Sequence, residues 1–201
     1  MLELYSASAN AHKAAELEAI CAQLGPITVR PRPLGLAEVI EDGETFLDNA
    51  LLKAWAVVEF TQAPALADDS GLEVDALGGA PGVHSARFSG EGATDLRNRL
   101  ALLEALDALD DHGGARRARF VATVVAAFPD GTAIVADGAV AGRISTAEQG
   151  RGGFGYDCLF IPDEGDGRSF GEMSEAEKHA ISHRGRALAA LVEALRHQGR
   201  L

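Results

Sequence analysis

Two adjacent carboxylates and a serine follow a short apolar run near the middle of the chain. Residues 63–67 are Ala-Pro-Ala-Leu-Ala, and Asp68-Asp69-Ser70-Gly71 comes directly after them. A strand that ends at two carboxylates can hold Mg²⁺ or present a general base, because α/β sheets bind ligands beyond the carboxyl ends of their strands. Successive strand residues point to opposite faces, so we expect different roles for Asp68 and Asp69. The alternative is an ordinary Asx-type turn, since Asp-Ser-Gly is common turn chemistry.

Lysine is rare in this chain. Lys and Arg total 18, yet the lysines are only Lys13, Lys53 and Lys178. Because Lys and Arg are not interchangeable, we expect lysine where a compact ammonium is needed. Lys13 ends the segment Ser8-Ala9-Asn10-Ala11-His12-Lys13, which lies between a predicted strand and a predicted helix, where the amides and dipole of the helix start favour a phosphate. The alternative is a Ser/Asn helix cap with a solvated lysine.

A second lysine lies on a helix with a clear start. Thr45-x-x-Asp48 predicts a capping box, and Asn49 and Lys53, four residues apart, share one face of that helix. The acidic segment Glu41-Asp42-Gly43 comes just before it. A solvated acidic loop and an exposed lysine are the alternative interpretation here.

The last helix is predicted to begin with cations. Ser182 is expected to cap it, which places His183 and Arg184 in its first turn. Cations there oppose the helix dipole and cost about 0.3–1 kcal/mol each when exposed, so the placement invites a functional explanation. An exposed arginine with no function is the alternative.

Two familiar motifs are rejected because their context is wrong. Residues 150–155 match Gly-x-Gly-x-x-Gly, but the residues that follow, 156–161, are predicted to form a strand, whereas a dinucleotide site requires a helix. His179 and His183 are four residues apart, yet Ala180 stands where a zinc protease has glutamate.

Alternating strands and helices must position these residues. Apolar periodicity and turn residues predict strands at 2–6, 27–30, 63–67, 119–128, 132–141 and 156–161, and helices at 10–24, 45–60 and 94–109, with a helical C-terminus that begins at Ser174-x-x-Glu177. Pro129-Asp130-Gly131 predicts a hairpin. A hairpin among βα units implies an α/β fold with a mixed sheet.

Composition limits the possible partners. The 201 residues fit one domain, and 47% hydrophobic with 24% charged residues is typical of a globular protein. The net charge of -12 argues against a nucleic-acid polymer or an anionic membrane as partner, although a small anionic ligand in a local cationic pocket remains compatible. Two cysteines and a start without a basic and apolar leader predict a cytoplasmic protein.

Six blocks in this order together resemble the Ham1/RdgB-type inosine triphosphate pyrophosphatases over nearly the whole chain. The blocks are Ser8-x-Asn10-x-x-Lys13, Thr45-Phe46-x-x-Asn49-Ala50 with Lys53, Ala67-Asp68-Asp69-Ser70-Gly71-Leu72, Gly78-Gly79-Ala80-Pro81-Gly82 with Ser85-Ala86-Arg87, Gly152-Gly153-Phe154-Gly155-Tyr156-Asp157, and Ser182-His183-Arg184-Gly185. The resemblance implies a single domain over 1–201, with an elongated mixed sheet flanked by helices in two lobes and an active site in the cleft between them. It also implies a homodimer.

The same resemblance implies an activity and residue roles. The expected reaction is Mg²⁺-dependent hydrolysis of a nucleoside triphosphate to monophosphate and pyrophosphate, with dITP, ITP and XTP preferred. Asp69 resembles the proton acceptor and a metal ligand, and Glu41 resembles the second metal ligand. The triphosphate and the base would be bound by the remaining matched positions, namely Ser8, Ala9, Asn10, Ala11, His12, Lys13, Lys53 and Ser70 for the phosphates, and Phe154, Gly155, Tyr156, Asp157, Lys178, His183 and Arg184 for the base and sugar.

Two positions depart from the family pattern, and two other functions stay open. Ala9 replaces the usual glycine of the first block, and Cys158 stands where proline commonly follows Tyr-Asp. Neither change removes a proposed catalytic group. A nucleotide sensor that hydrolyses nothing would not need the acidic set of Glu41, Asp68 and Asp69, and a pyrophosphatase with a different base preference is the other alternative.

Overall fold

One mixed β-sheet runs through the protein. The computed structural model describes residues 1–109 and 116–201, and in these residues six strands pair in the order β2-β1-β3-β4-β5-β6. The strands are β1 (Leu2–Ser6), β2 (Ile27–Arg30), β3 (Ala65–Val74), β4 (Arg117–Ala127), β5 (Ala133–Ile144) and β6 (Phe160–Pro162). β1 is parallel to β2 and β3, whereas β5 and β6 are antiparallel. The predicted α/β class with a mixed sheet is therefore confirmed.

The helices begin where the capping residues predict. They are α1 (Ala11–Leu24), α2 (Phe46–Thr61), α3 (Asp95–Asp107), α4 (Glu175–Ile181) and α5 (His183–His197). Thr45 and Ser174 each form a capping box with the residue three positions later, and Asn10 caps α1. In the described residues no helix is long and apolar enough to cross a bilayer.

The first of two compact units comprises Met1–Asp69, Ala122–Gly138 and His183–Leu201. Its core has two apolar clusters. One includes Leu17 of α1, Leu188 of α5 and Leu66 of β3, and the other includes Val57 of α2 and Ala67 of β3. Because Leu66 and Ala67 are successive strand residues, α1 and α5 cover one face of the strands in this unit and α2 covers the other.

The second unit comprises Ser70–Val121 and Ala139–Ser182. Its core gathers apolar side chains from β3, α3, β4 and β6, together with Phe170. Phe120 and Phe160 meet edge to face with ring centroids 4.7 Å apart, a favourable aromatic geometry. This unit therefore has an apolar core of its own.

The predicted end of the third strand is wrong. β3 continues from Ala65 through Asp68, Asp69, Ser70 and Gly71 to Val74. Leu72 and Val74 are fully buried in the core of the second unit, so burial of apolar side chains overrides the turn preference of Asp-Ser-Gly. The Asx-turn alternative is wrong for the same reason.

The predicted strand at 156–161 is also shorter in the structure. Residues 154–159 form turns, and only Phe160–Pro162 pairs as β6. The amides of Leu159 and Phe160 both donate to the carbonyl oxygen of Tyr156, at 2.9 and 3.1 Å, which closes a tight turn. Turns, and neither the predicted strand nor a helix, therefore follow the glycine-rich segment directly.

Gly138→Ala should destabilise the protein because β5 approaches α5 closely at this glycine. A Cβ at residue 138 would lie 2.2 Å from the carbonyl oxygen of His183 and 2.4 Å from the amide nitrogen of Ala187. Neither backbone atom can move without shifting α5, so we expect the free energy of unfolding to fall by about 1–3 kcal/mol. Urea denaturation measures the change. Ala141→Val, at an exposed position on β5, is the matched control, and equal stability of Gly138→Ala and wild type would contradict this close packing.

Candidate functional site

The two central carboxylates lie beyond the end of a neighbouring strand. The last register pair of β1 and β3 joins Ser6 to Leu66, so Asp68 and Asp69 extend past the carboxyl end of β1. The expectation of carboxylates at a strand end is thus wrong for β3 but holds for its parallel neighbour β1. Ligands commonly bind beyond the carboxyl ends of the strands in a parallel sheet.

Asp69 is held by two side chains of α2. The ammonium nitrogen Nζ of Lys53 donates to Asp69 Oδ1 at 2.9 Å, and Asn49 Nδ2 donates to Oδ2 at 3.3 Å. Asn49 and Lys53 share one helix face as their spacing predicts, and both are buried. The alternative of an exposed Lys53 is therefore wrong.

The acidic segment before α2 is tied to the same group. Glu41 Oε2 lies 3.3 Å from Lys53 Nζ, so the carboxylates of Glu41 and Asp69 both contact one ammonium. Asn49 also accepts a hydrogen bond from the amide of Gly43, at 2.9 Å, through its side-chain oxygen. Asn49 thereby connects the Glu41 segment to Asp69. The alternative of a solvated acidic loop holds for the exposed Asp42, whereas Glu41 is partly buried and pairs with Lys53.

Asp68 has different partners, as strand alternation predicts. Arg184, in the first turn of α5, donates to Asp68 Oδ2 from Nε at 3.2 Å and from Nη2 at 3.1 Å. Its Nη1 donates to Glu16 of α1. Only 1% of Arg184 is exposed, so the alternative of an exposed arginine is wrong.

Lys13 stands between the two carboxylates. Its Nζ lies 4.0 Å from Asp68 Oδ2 and 3.9 Å from Asp69 Oδ1. The side chain is only 18% exposed, so the description of a solvated lysine is wrong as well. Each of the two carboxylates therefore faces at least two cations.

The mutual pairing of these groups appears in their pKa values. Burial raises the pKa of Asp68, but the charges of Lys13, Arg184 and Lys53 outweigh burial and hold it below the ordinary value. Burial lowers the pKa of Lys13, and neighbouring carboxylates only partly oppose that shift. For Lys53 burial is again the largest influence, yet Asp69, Asp68 and Glu41 together raise its pKa.

The segment before α1 forms the predicted helix start. Asn10 Oδ1 accepts hydrogen bonds from the amides of His12 at 2.9 Å and Lys13 at 3.2 Å, and Ser8 Oγ donates to the carbonyl of Asn10 at 3.2 Å. Asn10 is therefore a helix cap, which agrees with the alternative interpretation of this segment as a Ser/Asn cap. Residues 9–12 are exposed, so the start of α1 is accessible to solvent.

A second polar cluster lies in the second unit. Lys178 Nζ donates to Asp157 Oδ2 at 2.7 Å and lies 5.0 Å from the ring centroid of Phe154. Asp157 Oδ2 also accepts from the amide of Phe154 at 2.8 Å. Lys178 and Asp157 are each 3% exposed, whereas Phe154 is half-buried. This arrangement presents an aromatic ring with a cation beside it.

The other predicted base-pocket residues fall in both units. Tyr156 is buried and donates its hydroxyl to the carbonyl of Ser85 at 2.9 Å, and burial raises its pKa. The buried His183 begins α5 in the first unit. Ser70, which is predicted to contact the phosphates, follows Asp69 on β3 in the second unit.

Oxygen ligands for a divalent cation are present in the first unit. Glu41 and Asp69 converge on the position of Lys53 Nζ. Within residues 1–109 and 116–201, no group of three or more His, Cys, Asp or Glu side chains is arranged to hold a metal ion. Mg²⁺ commonly takes one or two protein carboxylates and completes its octahedron with water and substrate phosphates. The carboxylate pair therefore fits Mg²⁺ bound together with a phosphorylated ligand.

Sequence reasoning missed the role of Glu16 in this site. Glu16 and Lys13 are three residues apart on α1, so they share a helix face. That spacing could have indicated a carboxylate near Lys13. Its partner Arg184, however, is far away in sequence, and no local pattern predicts that contact.

Comparisons with known proteins agree with the resemblance of the sequence. A model of the Ham1 family matches residues 4–194. A dITP/XTP pyrophosphatase from Thermus thermophilus is 49% identical over 193 residues, covering 96% of this chain and 91% of the relative. One from Shigella flexneri is 46% identical over 201 residues, covering 98% and 100%. The solved HAM1 protein from Coxiella burnetii is 38% identical and superposes with a TM-score of 0.86, covering 98% of this chain and 100% of its own.

Asp68→Ala should destabilise the protein by about 3–5 kcal/mol at pH 7, because it leaves the buried Arg184 and Lys13 without a main counter-charge. The pKa of Asp68 is lowered on folding, so its stabilisation is complete above the unfolded value of about 3.9 and is lost as the pH falls through the lowered value. Urea denaturation at several pH values should show the difference from wild type shrinking below about pH 4. Asp42→Ala, at an exposed aspartate, is the control, and a difference that stays constant down to pH 2 would contradict the role of Asp68.

Proposed function

Because the chain belongs to the Ham1 family, we propose that it is a nucleoside triphosphate pyrophosphatase that acts on dITP, ITP and XTP. The observation that carries the proposal is the cluster of Asp69, Lys53, Lys13 and Glu41 at the carboxyl end of β1. The names of the relatives from Thermus thermophilus and Shigella flexneri support the choice of substrate. Removal of these triphosphates would keep deaminated purines out of DNA and RNA.

In the proposed reaction, water attacks phosphorus and the bond between the α and β phosphates breaks. The new P–O bond gives the monophosphate, and the pyrophosphate leaves with the bonding electron pair. Catalysis of such a step depends on positioning and on neutralising negative charge. Lys13 and Lys53 supply positive charge at the triphosphate. The segment from Ser8 to His12, which leads into α1 and is exposed from residue 9 onwards, adds polar groups next to Lys13.

Asp69 is proposed as the proton acceptor. Its Oδ1 is bound by Lys53 at 2.9 Å, whereas Oδ2 has the longer contact, 3.3 Å to Asn49. Oδ2 is therefore the oxygen better able to take a proton from water. Lys53 and Asn49 fix the orientation of the carboxylate, so no rearrangement is needed at the moment of proton transfer.

Glu41 and Asp69 are the proposed ligands of Mg²⁺. The ion would neutralise phosphate charge and make the attacking water more acidic. The ammonium of Lys53 contacts the carboxylates of both Glu41 and Asp69 and so balances their negative charges. Ser70, next along β3 from Asp69, is proposed as a further phosphate contact.

The resemblance implies that the base contacts Phe154 and Arg184. A half-buried ring such as Phe154 can stack on a purine, a contact worth about 1–3 kcal/mol in nucleic-acid systems. Hypoxanthine and xanthine present an acceptor oxygen where adenine presents a donor amino group, so a donor held in place disfavours adenine. The guanidinium of Arg184 is such a donor, because its hydrogen bonds to Asp68 and Glu16 hold it in place. Lys178 and His183 are the other proposed contacts of the base.

A homodimer and a cytoplasmic location stay predictions.

A substrate panel tests the proposed activity. Pyrophosphate release should be Mg²⁺-dependent and faster from dITP and XTP than from dATP, because a fixed donor meets an acceptor only in the oxo bases. The assay compares dITP, XTP and the four standard nucleotides with and without Mg²⁺. Binding of dITP without release would favour the sensor alternative, and equal rates on dATP and dITP would contradict the base preference.

Asp69→Asn should abolish turnover and spare nucleotide binding. The amide keeps the shape of the carboxylate but cannot accept the proton, so we expect kcat to fall at least 10²-fold, the lower range of general-base contributions. Steady-state kinetics and calorimetric titration with dITP in Ca²⁺ measure the two effects. Asp163→Asn, at an exposed position in the second unit, is the control. Near-normal kcat in Asp69→Asn would remove Asp69 from its proposed role.

A further inference from the structure

Two side chains of α3 hold both backbone groups of Gly155. Asp95 Oδ2 accepts a hydrogen bond from the Gly155 amide at 2.8 Å. Arg99 Nη1 donates to the Gly155 carbonyl oxygen at 3.0 Å. Asp95 and Arg99 are four residues apart, so they are neighbours on one face of the helix. A single helix face therefore fixes the peptide groups on either side of Gly155.

The segment that carries Gly155 cannot easily hold its own shape. Gly150, Gly152, Gly153 and Gly155 fall within six residues, and the segment belongs to no helix or strand. Gly153 and Gly155 have φ values of 69° and 59°, in the left-handed region that glycine adopts without strain. Glycine also has the largest backbone freedom to lose on ordering. Contacts from outside the segment must therefore select one conformation.

The anchoring side chains are themselves fixed. Arg99 Nε donates to Glu148 Oε1 at 2.6 Å, so its guanidinium bridges Glu148 and Gly155. Thr94 caps the helix directly before Asp95, which sets the first turn of α3. On the other side of Gly155, Asp157 accepts from the Phe154 amide. The backbone that carries the Phe154 ring is thus held at its own amide and at the next residue.

We propose that Asp95 and Arg99 are positioning residues that set base recognition by holding the Gly155 peptide and, through it, the Phe154 ring. The inference rests on the proposed function, in which this segment binds the purine. Neither side chain belongs to the Asp69 cluster, so the chemistry at phosphorus should proceed as before once substrate is bound. Loss of either contact should weaken binding of the base and leave binding of phosphate groups unchanged.

Asp95→Ala and Arg99→Ala each remove one contact to Gly155. We expect KM for dITP to rise about three- to tenfold, the range that one lost hydrogen bond gives, with kcat within about twofold of wild type. Asp95→Asn keeps an oxygen that can accept the Gly155 amide, so it should restore a KM near the wild-type value. Glu104→Ala, at an exposed position on α3, is the matched control.

Inorganic tripolyphosphate distinguishes a loss of base binding from a loss of the whole binding site, because it carries phosphates without a base. Its inhibition constant should be the same in wild type, Asp95→Ala and Arg99→Ala. An unchanged KM for dITP in both alanine variants, or an equal loss of affinity for tripolyphosphate, would overturn the inference. Arg99→Lys, which keeps the charge but cannot bridge Glu148 and Gly155, provides the same test if an alanine variant does not fold. Wild-type protein that releases no pyrophosphate would instead contradict the proposed function on which the inference rests.

Discussion

Two buried carboxylates on successive residues of one strand constrain the first unit. Asp68 and Asp69 are 2% and 4% exposed, and a buried charge costs several kcal/mol unless it is paired. Because strand residues alternate, the two side chains point to opposite faces and cannot share one set of partners. α5 must therefore supply a cation on one face and α2 on the other. Lys13 of α1, close to both carboxylates, links the two sets. Three helices are thus positioned relative to two residues.

The unequal lengths of β1 and β3 turn this charge pairing into a site. β1 ends opposite Leu66, so past that point β3 has no β1 partner, and the chain after β1 leads into the exposed start of α1. The cations that balance Asp68 and Asp69 therefore lie beyond the carboxyl end of β1, where ligands of parallel sheets commonly bind. Under the proposed function, charges that are already fixed by their partners would need little reorganisation when a phosphate binds. The pairing that stabilises the fold would then also be the preorganisation that catalysis uses.

The parts predicted well from sequence are those that local chemistry decides. Asn10, Thr45 and Ser174 cap helices because their side chains reach amides only two or three residues away. The rarity of lysine was also informative, since each lysine pairs with a carboxylate in one of the two clusters. The extension of β3 was not predictable, because it depends on burial of Leu72 and Val74 against residues distant in sequence. The contact of Arg184 with Asp68 spans 116 residues, so no periodicity or spacing could indicate it.

Stability alone does not explain why the first turn of α5 carries a buried arginine. α5 is already held by Leu188 and Leu191 in the core and by the close backbone approach at Gly138. Replacing a buried ion pair by apolar residues of similar volume is often neutral or stabilising, so Arg184, Asp68 and Glu16 are not needed to attach the helix. What these three charges add is orientation, since a guanidinium bound through three nitrogens cannot rotate freely. Apolar packing and the ion pairs therefore both position α5, and the ion pairs in addition fix where the Arg184 donors point. Under the proposed function, donors fixed in this way would favour an oxo purine over an amino purine.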